Sequence, residues 1–184
     1  MLRILKKVLR VGTVTEPLPA AGEPVLERVG EQLRAGIGRR FGGSLAIRQV
    51  DAGSCNGCEL EIHALGNPFH AIERFGVHFV ASPRHADLLL VTGPVSVHME
   101  EALRRTYEAV PEPRLVIATG DCAIDGGEFG CSYACRGGVE KVIPVDAVIP
   151  GCPPTPLAMM LGILDAIGER THAPVAGVVT AGAE

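Results

Sequence analysis

The sequence predicts an α/β fold, a mostly parallel sheet with helices on both faces, and three observations predict it. Hydrophobic residues make up 47% of the 184 residues, yet aromatics only 4%, with no Trp. The core is therefore aliphatic, which suits parallel strands buried beneath helices. Short aliphatic runs alternate with segments of helical spacing, the pattern of strand-helix-strand units. Finally, three turns that combine Gly and Cys each follow such a run, and open α/β sheets bind ligands beyond the carboxyl ends of their strands. At this length one well-buried domain is expected.

The elements follow in chain order. Residues 1–10 hold Arg3, Lys6, Lys7 and Arg10 with no acid, opposite an apolar face. This is a short basic amphipathic helix, suited to an anionic membrane surface, an integral-membrane partner or a neighbouring subunit. A Pro- and Ala-rich linker over 17–24 and a helix over 27–40 complete an N-terminal region, 1–43, closed by Gly42-Gly43. The α/β domain then spans 44–170. Strands are predicted at 44–50, 77–81, 88–92, 115–119 and 142–148, with helices at 59–65, 96–110 and 156–170. The tail, 171–184, is rich in Ala and Gly with no periodic core face, and is expected to be mobile.

Net charge is −4 and the pI about 5.9. No basic stripe crosses the body, which argues against nucleic acid. Residues 1–10 lack the uninterrupted apolar stretch of a secretory signal, Arg39-Arg40 lies too far along for a twin-arginine signal, and no segment has the length of a membrane span. The expected location is the cytoplasm, where thiols stay reduced and six cysteines favour metal binding over disulfides.

Four of those cysteines, Cys55, Cys58, Cys122 and Cys152, sit in Ser-Cys-Asn-Gly-Cys, Gly-Asp-Cys-Ala and Pro-Gly-Cys-Pro-Pro. Each turn follows a predicted strand. An iron-sulfur cluster takes its thiolate ligands from such turns, and Gly53, Gly57, Gly120 and Gly151 are expected to offer amides to sulfur. Three other readings stand beside this one. A structural zinc site usually pairs two close-spaced knuckles, whereas here one Cys-x-x-Cys joins two distant single cysteines. A thioredoxin-like dithiol at Cys55 and Cys58 leaves Cys122 and Cys152 unexplained. Inert buried thiols explain any one cysteine but not four similarly framed. Cys131 and Cys135, spaced i, i+4, would share a face if helical; unligated thiols near the first site are favoured over a second metal centre. His85 and His98 read as surface groups or as groups just behind the ligands.

Four stretches together resemble one family. They are Asp51-Ala-Gly-Ser-Cys-Asn-Gly-Cys-Glu-Leu-Glu-Ile62, Glu73-Arg-Phe-Gly76, Ser82-Pro-Arg-His-Ala-Asp-Leu-Leu-Leu-Val-Thr-Gly-Pro94 and Val145-Asp-Ala-Val-Ile-Pro-Gly-Cys-Pro-Pro-Thr-Pro156. In order and spacing the chain resembles, over about 44–168, the small cluster-carrying subunit of membrane-bound group 4 NiFe hydrogenases. This is the formate hydrogenlyase and hydrogenase-4 type, related to the complex I 20 kDa subunit. The resemblance implies a flavodoxin-like domain with one 4Fe-4S cluster held by Cys55, Cys58, Cys122 and Cys152. It also implies three kinds of partner: a hydrogenase large subunit with the nickel-iron site, a ferredoxin-like cluster subunit and integral-membrane subunits. The protein would then be peripheral on the inner face of the cell membrane.

On that basis the chain is an electron-transfer subunit of an oxidoreductase complex with no catalytic residue of its own. The complex I subunit carries adjacent cysteines where this chain has Cys55-x-x-Cys58, so the resemblance leans to hydrogenases. The alternatives are a complex I-type quinone oxidoreductase subunit and, from another class, a zinc-stabilised non-enzymatic scaffold. Cys131 and Cys135 fall outside the family's cluster motif. Glu59 and Glu61 are candidates for proton relay or interface hydrogen bonds, with helix-dipole acids as the plainer reading. Arg84 is a candidate for neutralising the cluster.

Overall fold

The computed structural model describes residues 24–168 together with Lys6 and Arg10. The basic N-terminal helix, the linker and the tail lie outside the described residues, except that Lys6 and Arg10 are helical and exposed. The elements are α1 (Pro24–Phe41), β1 (Leu45–Asp51), α2 (Gly57–Leu65), β2 (Val77–Phe79), β3 (Leu88–Thr92), α3 (Val97–Ala109), β4 (Leu115–Thr119), α4 (Asp121–Ile124), β5 (Ala147–Ile149) and α5 (Pro156–Ala166), with short 3₁₀ turns between several of them. All strand pairs are parallel, in the order β2-β1-β3-β4-β5. This is the flavodoxin-like order, as the resemblance implies.

Strand alternation divides the core. Leu88 and Leu90 of β3 face one side, with Leu45, Ile47 and Ile117, against α1, α2 and α5. Leu89 and Val91 face the other, with Val116 and Ala118, against Leu103 of α3 and the plug formed by Val139 and Ile143. Because both faces are covered, β3 is buried at every position, and a continuous aliphatic run is what such a strand requires. Helix α3 starts where Ser96 accepts the Met99 N–H, and α5 where Thr155 accepts the Ala158 N–H, with Pro156 in its first turn.

The last strand departs from expectation. The sequence predicts 142–148, whereas β5 is Ala147–Ile149. Residues 139–141 form a 3₁₀ turn that drives Val139 and Ile143 into the core, and Pro144 has no N–H with which to extend a ladder. Asp146 then opens β5: its N–H donates to Val116 O (2.9 Å), and its Oδ2 accepts the Val116 N–H (2.8 Å). Asp87 opens β3 in the same way, donating its N–H to Ala46 O (2.8 Å) and accepting the Ala46 N–H at Oδ2 (2.9 Å). At the amino ends of the strands a carboxylate thus stands in for a backbone carbonyl.

Candidate metal centre

The carboxyl ends of β1, β4 and β5 carry the cysteines. Where β1 stops, Asp51 Oδ1 accepts the N–H groups of Gly53 (2.8 Å) and Ser54 (2.7 Å). That Asx turn folds the chain back over β3. It can cross there because Gly93, just past β3, has φ +75° and presents no side chain; a Cβ on it would lie 2.4 Å from Ser54 N. Asn56, left-handed at φ 73°, then starts α2 without a side-chain cap. The first-turn amides of α2, which have no partner within the helix, therefore begin beside Cys55, whose Sγ would lie 3.6 Å from a Cβ on Gly57.

Gly120 follows β4 with φ +87°, and a Cβ there would lie 2.7 Å from Cys58 Sγ. The missing side chain lets the Cys58 sulfur approach the turn that presents Cys122. Gly127 packs as closely on Cys122 Sγ, at 2.8 Å from its ideal Cβ position, and the neighbouring Glu128 backbone N–H donates to that sulfur. Cys152 follows Gly151 after β5. Cys55 and Cys152 are exposed, while Cys58 and Cys122 are half-buried.

The structure therefore brings the four predicted cysteines together, close enough to act on one another's protons. Burial, and then the charges of Glu59, Cys55, Cys122 and Cys152, push the Cys58 thiol up to about 12. Burial raises Cys122 as well, followed by Cys152 and Cys55, against the opposing Glu128 N–H. Four thiolates gather here only around cations that accept their charge. Among the described residues no three His, Cys, Asp or Glu side chains lie close enough to share one metal ion.

A pH dependence follows for the metal-free chain. Folded, it holds the Cys58 proton more tightly than the unfolded chain does, so this contribution is intact below about pH 8.5 and is lost as pH rises towards 12. Urea unfolding between about pH 8 and 11 should cost the metal-free wild type more stability than metal-free Cys58→Ala. Parallel losses in the two proteins would contradict the shift.

Sequence reasoning expects four glycine amides to face sulfur, and three do not. Gly53 N–H goes to Asp51, Gly120 N–H to Ile149 O and Gly151 N–H to Asp121 Oδ1. The donor it misses, Glu128, lies six residues beyond Cys122 and carries no sequence signal of its own. Glu59 is buried at 6% exposure, and the Thr92 hydroxyl donates to its Oε1. Its Oε2 and Thr119 Oγ1 find no hydrogen-bond partner among the described residues, which leaves a polar floor beneath the cysteine turns. Glu61 is half-buried in α2. Arg84 is exposed on the turn after β2 and is not among the charges acting on Cys58 or Cys122.

Cys131 and Cys135 do not share a helical face. The segment runs antiparallel to residues 95–97, with Val97 N–H to Ala134 O (2.9 Å) and Arg136 N–H to Val95 O (2.7 Å). Ser132 and Cys135 exchange backbone bonds (2.9 and 3.3 Å), so those two share one face and Cys131 falls on the other. Cys135 is buried and Cys131 exposed. His85 and His98 are exposed.

Comparison with known proteins gives the family. The family model described as "NADH ubiquinone oxidoreductase, 20 Kd subunit" matches residues 55–166. Formate hydrogenlyase subunit 7 of Escherichia coli (strain K12) is 42% identical over 163 residues, 85% of this chain and 64% of that protein, so the chain spans under two thirds of that relative. The probable membrane-bound hydrogenase subunit mbhJ of Pyrococcus furiosus is 45% identical over 142 residues, 77% of this chain and 83% of that one. Among solved structures, a chain of the membrane-bound sulfane sulfur reductase, an archaeal respiratory membrane complex, superposes with a TM-score of 0.61 at 36% identity, covering 73% of each chain.

Proposed function

Since the chain belongs to the NADH ubiquinone oxidoreductase 20 kDa subunit family, we propose that it carries one 4Fe-4S cluster on Cys55, Cys58, Cys122 and Cys152. In this reading it passes electrons between a ferredoxin-like subunit and the nickel-iron site of a hydrogenase large subunit, in a complex attached to the membrane. The observation that supports it is the convergence of four thiols from three strand ends on one another.

When bound, the cluster supplies a one-electron carrier. The chain contributes the rest. Gly93 and Gly120 give the turns room to close, the Glu128 N–H stabilises thiolate on Cys122, and the buried ends of β3 and β4 exclude water from below. Cys55 and Cys152, on the open side, face the place where a partner would complete the enclosure. No helix of the described residues is long and apolar enough to cross a membrane. Membrane assignment rests on relatives whose names place them in membrane-bound complexes.

The test is iron, sulfide, nickel and zinc content of the anaerobically purified chain with its co-purifying subunits, together with electron paramagnetic resonance after reduction. About four irons and four sulfides per chain, with nickel in a bound large subunit, is the expected result. The same cluster without nickel would move the partner to a quinone or sulfur reductase. Zinc with no iron would sink the cluster itself.

A further inference from the structure

Asp121 joins two of the cysteine turns. Its backbone N–H donates to Gly151 O (3.0 Å), and its carboxylate Oδ1 accepts the Gly151 N–H (2.7 Å). One step earlier, the Gly120 N–H donates to Ile149 O (2.8 Å). The β4–β5 ladder therefore runs past the ends of both strands and into the turns that present Cys122 and Cys152. Backbone alone does not supply this last rung. At Asp121 the chain has entered α4, and the Asp121 carbonyl is taken by the Asp125 N–H (3.1 Å). The side-chain oxygen takes the place of the missing acceptor.

We propose, resting on the cluster reading above, that Asp121 is a positioning residue that fixes the spacing of Cys122 and Cys152 and withholds the Gly151 amide from the cluster. Two consequences follow. The ligand turns are held at one separation before the cluster arrives, so loss of the bond loosens its grip. In addition, a carboxylate beside Cys122 and an amide turned away from sulfur both disfavour the extra electron, which lowers the reduction potential.

The test compares Asp121→Asn, which keeps the acceptor oxygen and drops the charge, with Asp121→Ala, which drops both. Each is made in the full chain and purified anaerobically with its partner subunits. Asp121→Asn should keep wild-type iron and line shape, with the midpoint of the paramagnetic signal moved upward. Asp121→Ala should lose iron to a chelator roughly tenfold faster or more. Wild-type iron retention in Asp121→Ala would overturn the proposal, and so would equal iron loss in both variants, because Asn retains the bond. A second readout avoids assembly altogether: hydrogen exchange of the Gly151 amide in the metal-free full chain. Protection kept in Asp121→Asn and lost in Asp121→Ala supports the clamp; identical exchange in all three chains removes it. Wild-type protein without iron or sulfide would instead defeat the cluster reading, and leaves the exchange result standing.

Discussion

Cys58→Ala should abolish the cluster while leaving the fold in place. Cys58 is the thiol on which the other three all act, and its sulfur fills the space that Gly120 leaves open. Ala removes the ligand and supplies no oxygen to stand in for it. The anaerobically prepared complex should fall from about four irons per chain to a background level, with the brown colour and the paramagnetic signal both gone. The far-ultraviolet circular dichroism should stay wild type, since the sheet and both helical layers pack without Cys58. Cys131→Ala, made in parallel, should keep all of its iron, because that exposed thiol sits on the turn that pairs with residues 95–97. A brown Cys58→Ala protein with wild-type iron would remove Cys58 from the ligand set.

Gly93→Ala should do comparable damage without touching any cysteine. At φ +75° an L side chain is strained, and the added Cβ would meet Ser54 N at 2.4 Å and Ser54 Cα at 2.6 Å. Both are backbone atoms, so no rotamer change relieves the contact. Strain and overpacking together are expected to cost roughly 3 kcal/mol or more. The segment that must move carries Cys55 two positions after Gly53, so iron should be lost as well. Urea unfolding of the metal-free chain and iron analysis of the complex check the two halves. Gly38→Ala is the control: it lies within α1 with nothing within 4 Å of its Cβ position, and should be neutral or stabilising by about 1 kcal/mol. If Gly93→Ala behaved like Gly38→Ala, the crossing of the first cysteine turn over β3 would be wrong.

Strands β3 and β4 match their predicted limits because each is four aliphatic residues and a Thr, buried throughout but for half-buried Leu115, and followed by Gly. Strand β5 was not legible in the same way. Val142, Ile143 and Val145 look like a strand, but Ile143 enters the second core as part of a plug, and Pro144 is the one local sign against a ladder there. The cysteine turns were legible because Gly and Cys follow strand-like runs. Their supports were not. Asp51 acts two and three residues away, through a turn that Asp-x-Gly-Ser hints at. Asp121 and Asp146 act across 30 residues, and in sequence they look like ordinary surface acids. The amides of Gly53, Gly120 and Gly151 were expected to face sulfur; Gly53 is taken by the local Asp51 turn, and Gly120 and Gly151 by partners that only the assembled sheet ends supply.

The same sheet order has a consequence for how the protein matures. Cys55 and Cys58 follow the first strand, and Cys152 follows the last, some hundred residues later in the chain. Closing so long a loop comes late, after contacts between near neighbours have formed. On the cluster reading, until β5 docks on β4 the fourth thiol is not in position, and a partly folded chain offers no complete site to an iron-sulfur donor. Cluster loading would then act as a proofreading step, committing metal only to chains whose last strand has already found its place.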